Sequence, residues 1–176
     1  LRETKNPPDK RVAITPVQVV EIMEKFPNVE LFIQPSDLRC YKDDEYEYFN
    51  INMTENLQHC DILIGVKEVL METLLQGKKY MFFAHVAKKQ AHNQKLIQTI
   101  LSKKISLIDY EYLTDTNGNR VVAFGRWAGI VGAYNCLRAK GLRTDRFNLK
   151  PAHQCHDVQE MWAGLKLIKL RPIKIL

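Results

Sequence analysis

The sequence predicts an α/β domain built on a mainly parallel sheet, and three observations carry that reading. Short apolar runs alternate with longer amphipathic segments, the pattern of βα units. Neither an internal repeat nor a low-complexity tract interrupts the alternation. The 176 residues are 45% hydrophobic and 26% charged, a globular composition long enough to bury a core.

Taken in order, Thr15-Pro16 opens a helix over Pro16 to Lys25, with proline at the first helical position where its missing N–H costs nothing. Strands are predicted at Val29 to Gln34, Asp61 to Gly65, Lys79 to His85, Ile105 to Asp109 and Val121 to Phe124. Further helices are predicted at Met71 to Gln76, Lys89 to Lys103 and Arg126 to Leu137. In the second of these, Leu96, Ile97, Ile100 and Leu101 fall on one face, suited to packing on a sheet. Asp115 to Asn119 reads as a hairpin turn before the Val121 strand. After a polar stretch from Arg143 to His156 comes a helix over Asp157 to Lys166. Arg171 to Leu176 then reads as the first residues of a new strand. The expected division is therefore a domain over residues 1–170, with 171–176 beginning a second α/β domain.

The net charge is +6 and the isoelectric point near 9.1. Much of the surplus lies late, from Arg138 to Lys174, without interleaved stacking aromatics or a nucleic-acid motif. The balance argues against nucleic acid as a partner and suits an acidic small molecule. No stretch reaches the roughly 18 apolar residues of a membrane helix, so no membrane partner is expected. Cys40, Cys60, Cys136 and Cys155 lack CxxC spacing and read as reduced core thiols of a cytoplasmic protein. His153, Cys155 and His156 offer soft ligands without the paired spacing of a structural zinc, so no metal is expected.

In open α/β sheets ligands sit at the carboxyl ends of strands. Here Asp61 to Gly65 leads into Lys67 and Glu68, Lys79 to Ala84 into His85, and Ile105 to Asp109 into Tyr110 and Glu111. Any one of these is ordinary as a surface group; three successive strands delivering Lys, His and Glu to one edge is a proton-transfer set. Arg2, Lys5, Arg11, Arg120 and Arg126 form a cationic set fit for a substrate with several carboxylates. Gly125, Gly129 and Gly132 do not have the spacing of a dinucleotide loop and read as small residues for helix packing.

The segments LRETKNPPDKRVAITP, QPSDLR, ILIGVKE, FFAHVAKKQAHN, LIDYEYLTDTNGNRVVAFG and RWAGIVGAYN, in order over residues 1 to about 141, resemble the alanine dehydrogenase and transhydrogenase N-terminal domain family. Within it they are most similar to the saccharopine dehydrogenases, including the lysine–ketoglutarate reductase portion of the bifunctional lysine-degrading enzyme. The Asp-Tyr-Glu to Ala-Phe-Gly stretch and Ala84-His85-Val86 separate the chain from alanine dehydrogenases.

The resemblance implies a Rossmann-like (flavodoxin-like) substrate domain. It also implies interconversion of saccharopine with lysine and 2-oxoglutarate, using NAD or NADP held mainly by a following nucleotide-binding domain. By position it makes Lys67 the general base and His85 the general acid in the oxidative direction. Arg2, Lys5, Gln90 and Arg120 would hold substrate carboxylates and backbone, and Glu68 and Glu111 would set the charge around Lys67. Lys88 and Phe124 would stand at the rim. The partners implied are these small molecules and the chain's own nucleotide domain; a homo-oligomer is compatible, and a eukaryotic member would be mitochondrial. Two rival readings are an alanine-dehydrogenase-like enzyme on a smaller 2-oxo acid and a stand-alone module binding an acidic metabolite.

Overall fold

The computed structural model describes residues 1–4 and 9–169. They fall into two compact units, Leu1–Val122 and the residues from Ala123 onward, a boundary inside the span the sequence reads as one domain. Lys5 and the strand expected from Arg171 lie outside the described residues.

The first unit begins with α1 (Pro16–Lys25), whose Thr15 side chain accepts the N–H of Gln18 while Gln18 reaches back to the Thr15 N–H. This reciprocal cap fixes the helix start at the position read from sequence. Strand β1 (Phe32–Ile33) is far shorter than the run from Val29 to Gln34. Helix α2 (Asp43–Glu47) and strand β2 (Asn52–Met53) follow, neither of them anticipated. β1 and β2 pair in parallel, and Val19, Tyr46 and Ile51 form the core beneath them. The Tyr46 hydroxyl donates to the Ile14 carbonyl at 2.9 Å, giving this buried phenol its partner.

Next come β3 (Ile62–Lys67), β4 (Lys79–Phe83), α3 (Gln94–Ser102) and β5 (Ser106–Asp109). The three strands form one parallel sheet in the order β3-β4-β5. Its apolar face packs Leu63, Tyr80 and Phe82 against Leu96 and Ile100 of α3 and against Ile105. Burying a phenylalanine as Phe82 is buried contributes about 1.5–3 kcal/mol. The helix expected from Lys89 starts only at Gln94, after a 3₁₀ turn over Ala91–Asn93, because Lys89 takes a left-handed φ of 52° that no helix accommodates. The helix expected over Met71 to Gln76 is a single 3₁₀ turn, Met71–Thr73.

The Asp115 to Asn119 turn forms as read, with Gly118 at φ 80°. The strand expected at Val121 to Phe124 does not. One antiparallel bridge joins Thr114 and Arg120, and the chain then enters a helix at Gly125. Two-stranded pairing without a third strand or a covering face is marginal, and Val121 stays exposed.

The second unit holds α4 (Gly125–Thr144) and α5 (Val158–Lys166) around a core of Tyr134, Leu149 and Met161. α4 ends at Asp145 in the left-handed conformation. Gly141 is required there: a Cβ would stand 2.4 Å from the Phe147 carbonyl oxygen. Asp157, expected as the first residue of α5, is its N-cap instead. All four cysteines are unpaired, but Cys40 and Cys136 are exposed and Cys60 and Cys155 only partly covered, so the reading as core thiols fails for the first two. No helix among the described residues is long and apolar enough to cross a membrane.

Candidate functional site at the carboxyl edge of the sheet

Because β3, β4 and β5 are parallel neighbours in one sheet, their carboxyl ends reach one edge. Lys67 lies beside Phe83, and Phe82 beside Asp109. The register slips between Ile64 and Lys67, an irregularity of the kind that re-aims a side chain at a strand end. The half-buried Lys67 places its Nζ 5.7 Å from the centre of the Phe83 ring. The His85 ring stacks on that same phenyl at 5.9 Å between centroids, with 20° between planes. Phe83 thus contacts both groups.

Glu111 is the electrostatic centre. Its side chain is only 11% exposed, yet it meets three basic groups. Lys88 donates to Oε1 at 2.6 Å, His85 Nδ1 faces Oε2 at 3.0 Å, and Arg120 stands 3.9 Å from Oε1. The Lys88 hydrogen bond, followed by that from His85, holds the Glu111 carboxyl down at about 2. The same contact pushes the Lys88 ammonium up. A carboxylate accepts only, so His85 Nδ1 carries the proton in this pair and Nε2 is the nitrogen left for a substrate.

The backbone of His85 is itself unusual, with φ at 54° in the left-handed region. Its N–H donates to Asp109 Oδ2 at 2.9 Å, and its carbonyl accepts from the buried Asn93 at 3.2 Å. Asp109 Oδ1 also accepts the N–H of Glu111 at 3.0 Å, capping the 3₁₀ turn Tyr110–Tyr112. A hydrogen bond from Arg11 lowers the Asp9 carboxyl.

Of the residues singled out in sequence, the structure brings His85, Lys88, Glu111 and Arg120 into direct reach, with Lys67 over the Phe83 ring and Glu68 next to it in the chain. Arg2 is engaged elsewhere, donating to Glu55 at 2.6 Å and to the Pro35 carbonyl at 3.2 Å. Gln90 is exposed in the loop between His85 and α3, where its carbonyl accepts the Asn93 N–H. Phe124 belongs to the second unit as the N-cap of α4. Sequence reasoning missed Phe83, Asn93 and the double role of Asp109. Only Asp109 left a readable sign, the Asp-Tyr-Glu pattern by which an aspartate binds the backbone two residues on.

A cavity of about 650 Å³ lies between β1 and β3, lined by Arg2, Arg11, Phe32, Cys60 and Leu63 among others; Lys67, His85 and Glu111 do not line it. The proton-bearing edge and this cavity therefore share none of these three residues. Added Cβ atoms at Gly125, Gly129 and Gly132 would meet nothing within 4 Å among the described residues, so the close helix packing expected of these glycines is not found.

Comparison with known proteins follows this geometry. The profile of the family described as "Alanine dehydrogenase/PNT, N-terminal domain" matches residues 1–131. The mouse mitochondrial alpha-aminoadipic semialdehyde synthase is 37% identical over 142 residues, 81% of this chain and 15% of that protein. The NAD(+), L-lysine-forming saccharopine dehydrogenase of Yarrowia lipolytica is 30% identical over 138 residues, 76% of this chain and 37% of that enzyme. The chain thus spans about 15% of the first of these relatives and about 37% of the second. Among solved structures an L-alanine dehydrogenase superposes with a TM-score of 0.56 at 18% identity, covering 67% of this chain and 33% of that one, which shows a shared Rossmann-like α/β fold. The parallel strands, the edge they share and the match over residues 1–131 together make this chain a member of the alanine dehydrogenase/PNT N-terminal domain family.

Proposed function

We propose that this chain is the substrate-binding part of an NAD(P)-dependent saccharopine dehydrogenase of the lysine-forming type. The observation that carries the reading is the His85–Glu111–Lys88 cluster at the carboxyl edge of the sheet, with the His85 ring and the Lys67 ammonium both against Phe83. Hydride exchange would use a nicotinamide cofactor, which the resemblance assigns to a nucleotide-binding domain.

What the chain's own residues do is bind charge and move protons. In the oxidative direction the secondary amine of saccharopine must lose a proton before hydride departs, and Lys67 in its neutral form accepts it. Water then adds to the resulting imine carbon, and the carbinolamine collapses to lysine and 2-oxoglutarate. Collapse needs a proton delivered to the leaving amine nitrogen, which His85 supplies from Nε2 as an imidazolium. Glu111 accepts from Nδ1 and so holds the ring with Nε2 free for this transfer. Lys88 and Arg120 offset the same carboxylate and leave N–H donors for substrate carboxylates.

The test is a steady-state assay of the intact enzyme with lysine, 2-oxoglutarate and NADH or NADPH. Turnover that requires both lysine and 2-oxoglutarate is expected. Turnover with pyruvate and ammonia but none with lysine would replace this reading by the alanine-dehydrogenase type.

A further inference from the structure

We propose that Asp109 is the positioning residue of this site, holding His85 and Glu111 in the one arrangement that aims Nε2 outward. The proposal rests on the reading of His85 as a proton carrier, and it goes further by naming what keeps that imidazole in place.

The geometry is a closed ring. One Asp109 oxygen accepts the His85 N–H at 2.9 Å, and the other accepts the Glu111 N–H at 3.0 Å. The side chains of these two residues then meet each other at 3.0 Å. The two N–H donors follow different strands, 26 residues apart in sequence, so the one carboxylate ties the ends of β4 and β5 together.

His85 has a reason to need such a tie. At φ 54° it occupies the left-handed region, which an L-residue adopts only at an energetic penalty. Such backbone persists where its surroundings over-determine it, and these do. Asp109 takes the N–H, and buried Asn93 donates to the carbonyl from the turn before α3. Released from Asp109, His85 can return to an ordinary φ and swing its ring off Glu111. An ionised carboxylate is the group that fits, because it offers two acceptor oxygens and no donor. An amide in the same place turns its NH₂ toward one of the two N–H groups. Asp109 touches no reacting atom in this account and acts through His85 and Glu111.

The experiment follows the tautomer of the His85 ring by ¹⁵N-resolved NMR of this chain in the wild type, Asp109→Ala and Asp109→Asn. Methyl resonances of Leu63, Leu96 and Ile100 report whether the core is intact. Wild type is expected to show the Nδ1–H form. Asp109→Ala is expected to shift it toward the Nε2–H form that an unrestrained imidazole favours, and Asp109→Asn to shift it partway. In the intact enzyme Asp109→Ala should lower kcat about ten- to a hundredfold with a smaller change in KM, the usual effect of removing a group that fixes a functional imidazole. A folded Asp109→Ala that keeps the wild-type tautomer overturns the proposal. Should that variant fail to fold, Asp109→Asn decides it on the same criterion. A shifted tautomer with unchanged turnover sustains the positioning role and counts instead against His85 as the proton carrier.

Discussion

Glu111 and Glu160 each take a lysine ammonium at close range, from Lys88 at 2.6 Å and from Lys150 at 2.5 Å. Each is preceded by an aspartate that caps a helical turn, Asp109 for Glu111 and Asp157 for Glu160. In the second unit the arrangement is entirely local: Glu160 accepts the His156 N–H, Asp157 accepts the Glu160 N–H, and together they start α5. At the sheet edge every element gains a distant partner. Asp109 also binds His85, and Glu111 also binds the His85 ring and approaches Arg120. The Glu111 side chain is 11% exposed against 38% for Glu160. The contrast teaches that an ion pair at a helix start is structural by default. The imported imidazole and the covered carboxylate are what turn the same motif into a candidate for chemistry.

The sharpest way to break the comparison is substitution at the base. In the intact enzyme Lys67→Met is expected to lower kcat by about 10² to 10⁴ while substrate affinity changes far less, because the lost proton transfer belongs to the transition state. Wild-type turnover across the pH range would remove Lys67 from the chemistry.

A smaller effect of a different kind is expected for Arg120→Ala. A carboxylate contact made equally in ground and transition states should raise KM about ten- to a hundredfold and leave kcat nearly alone, the worth of one charged hydrogen bond. Loss of kcat with unchanged KM would place Arg120 among the reacting groups.

Acid titration compares the two glutamates directly. The Glu111 carboxyl is depressed, so its contribution to stability is complete above the ordinary carboxylate range and is lost as pH falls from 4.5 toward about 2. Glu111→Gln should therefore flatten the pH dependence of the urea midpoint in that window. Glu160, also lowered by its lysine, should give a change of the same sign but smaller, because water screens the more exposed pair. Equal flattening in Glu111→Gln and Glu160→Gln would erase the distinction between the two regions. Smallest of all, Lys150→Ala is expected to shift the unfolding midpoint slightly and to leave turnover of the intact enzyme unchanged.

Legibility in the sequence followed the range of the interactions. α1 was readable to its ends because Thr15, Pro16 and Gln18 carry their signals locally. β3, β4 and β5 were readable within a few residues because buried parallel strands are apolar runs, and parallel order implies a common edge for Lys67, His85 and Glu111. β1 and β2 were not, since two-residue strands exist through their pairing and not through propensity. The left-handed turn at Lys89 hid the true start of α3. Around the site, the roles given to Lys88 and Arg120 came from family resemblance, whereas their meeting at Glu111 is visible only in three dimensions. Asp109 looked like the last residue of a strand, and nothing in its neighbours signals a partner 24 positions earlier.

The central claim is that His85, oriented by Glu111, moves protons at this edge. Steady-state turnover of His85→Gln in the intact enzyme, with saccharopine and oxidised nucleotide saturating, addresses it most directly. The account expects kcat to fall about 10² to 10⁴-fold with the affinity for saccharopine little changed. A variant that turns over saccharopine at the wild-type rate throughout the pH range would contradict it.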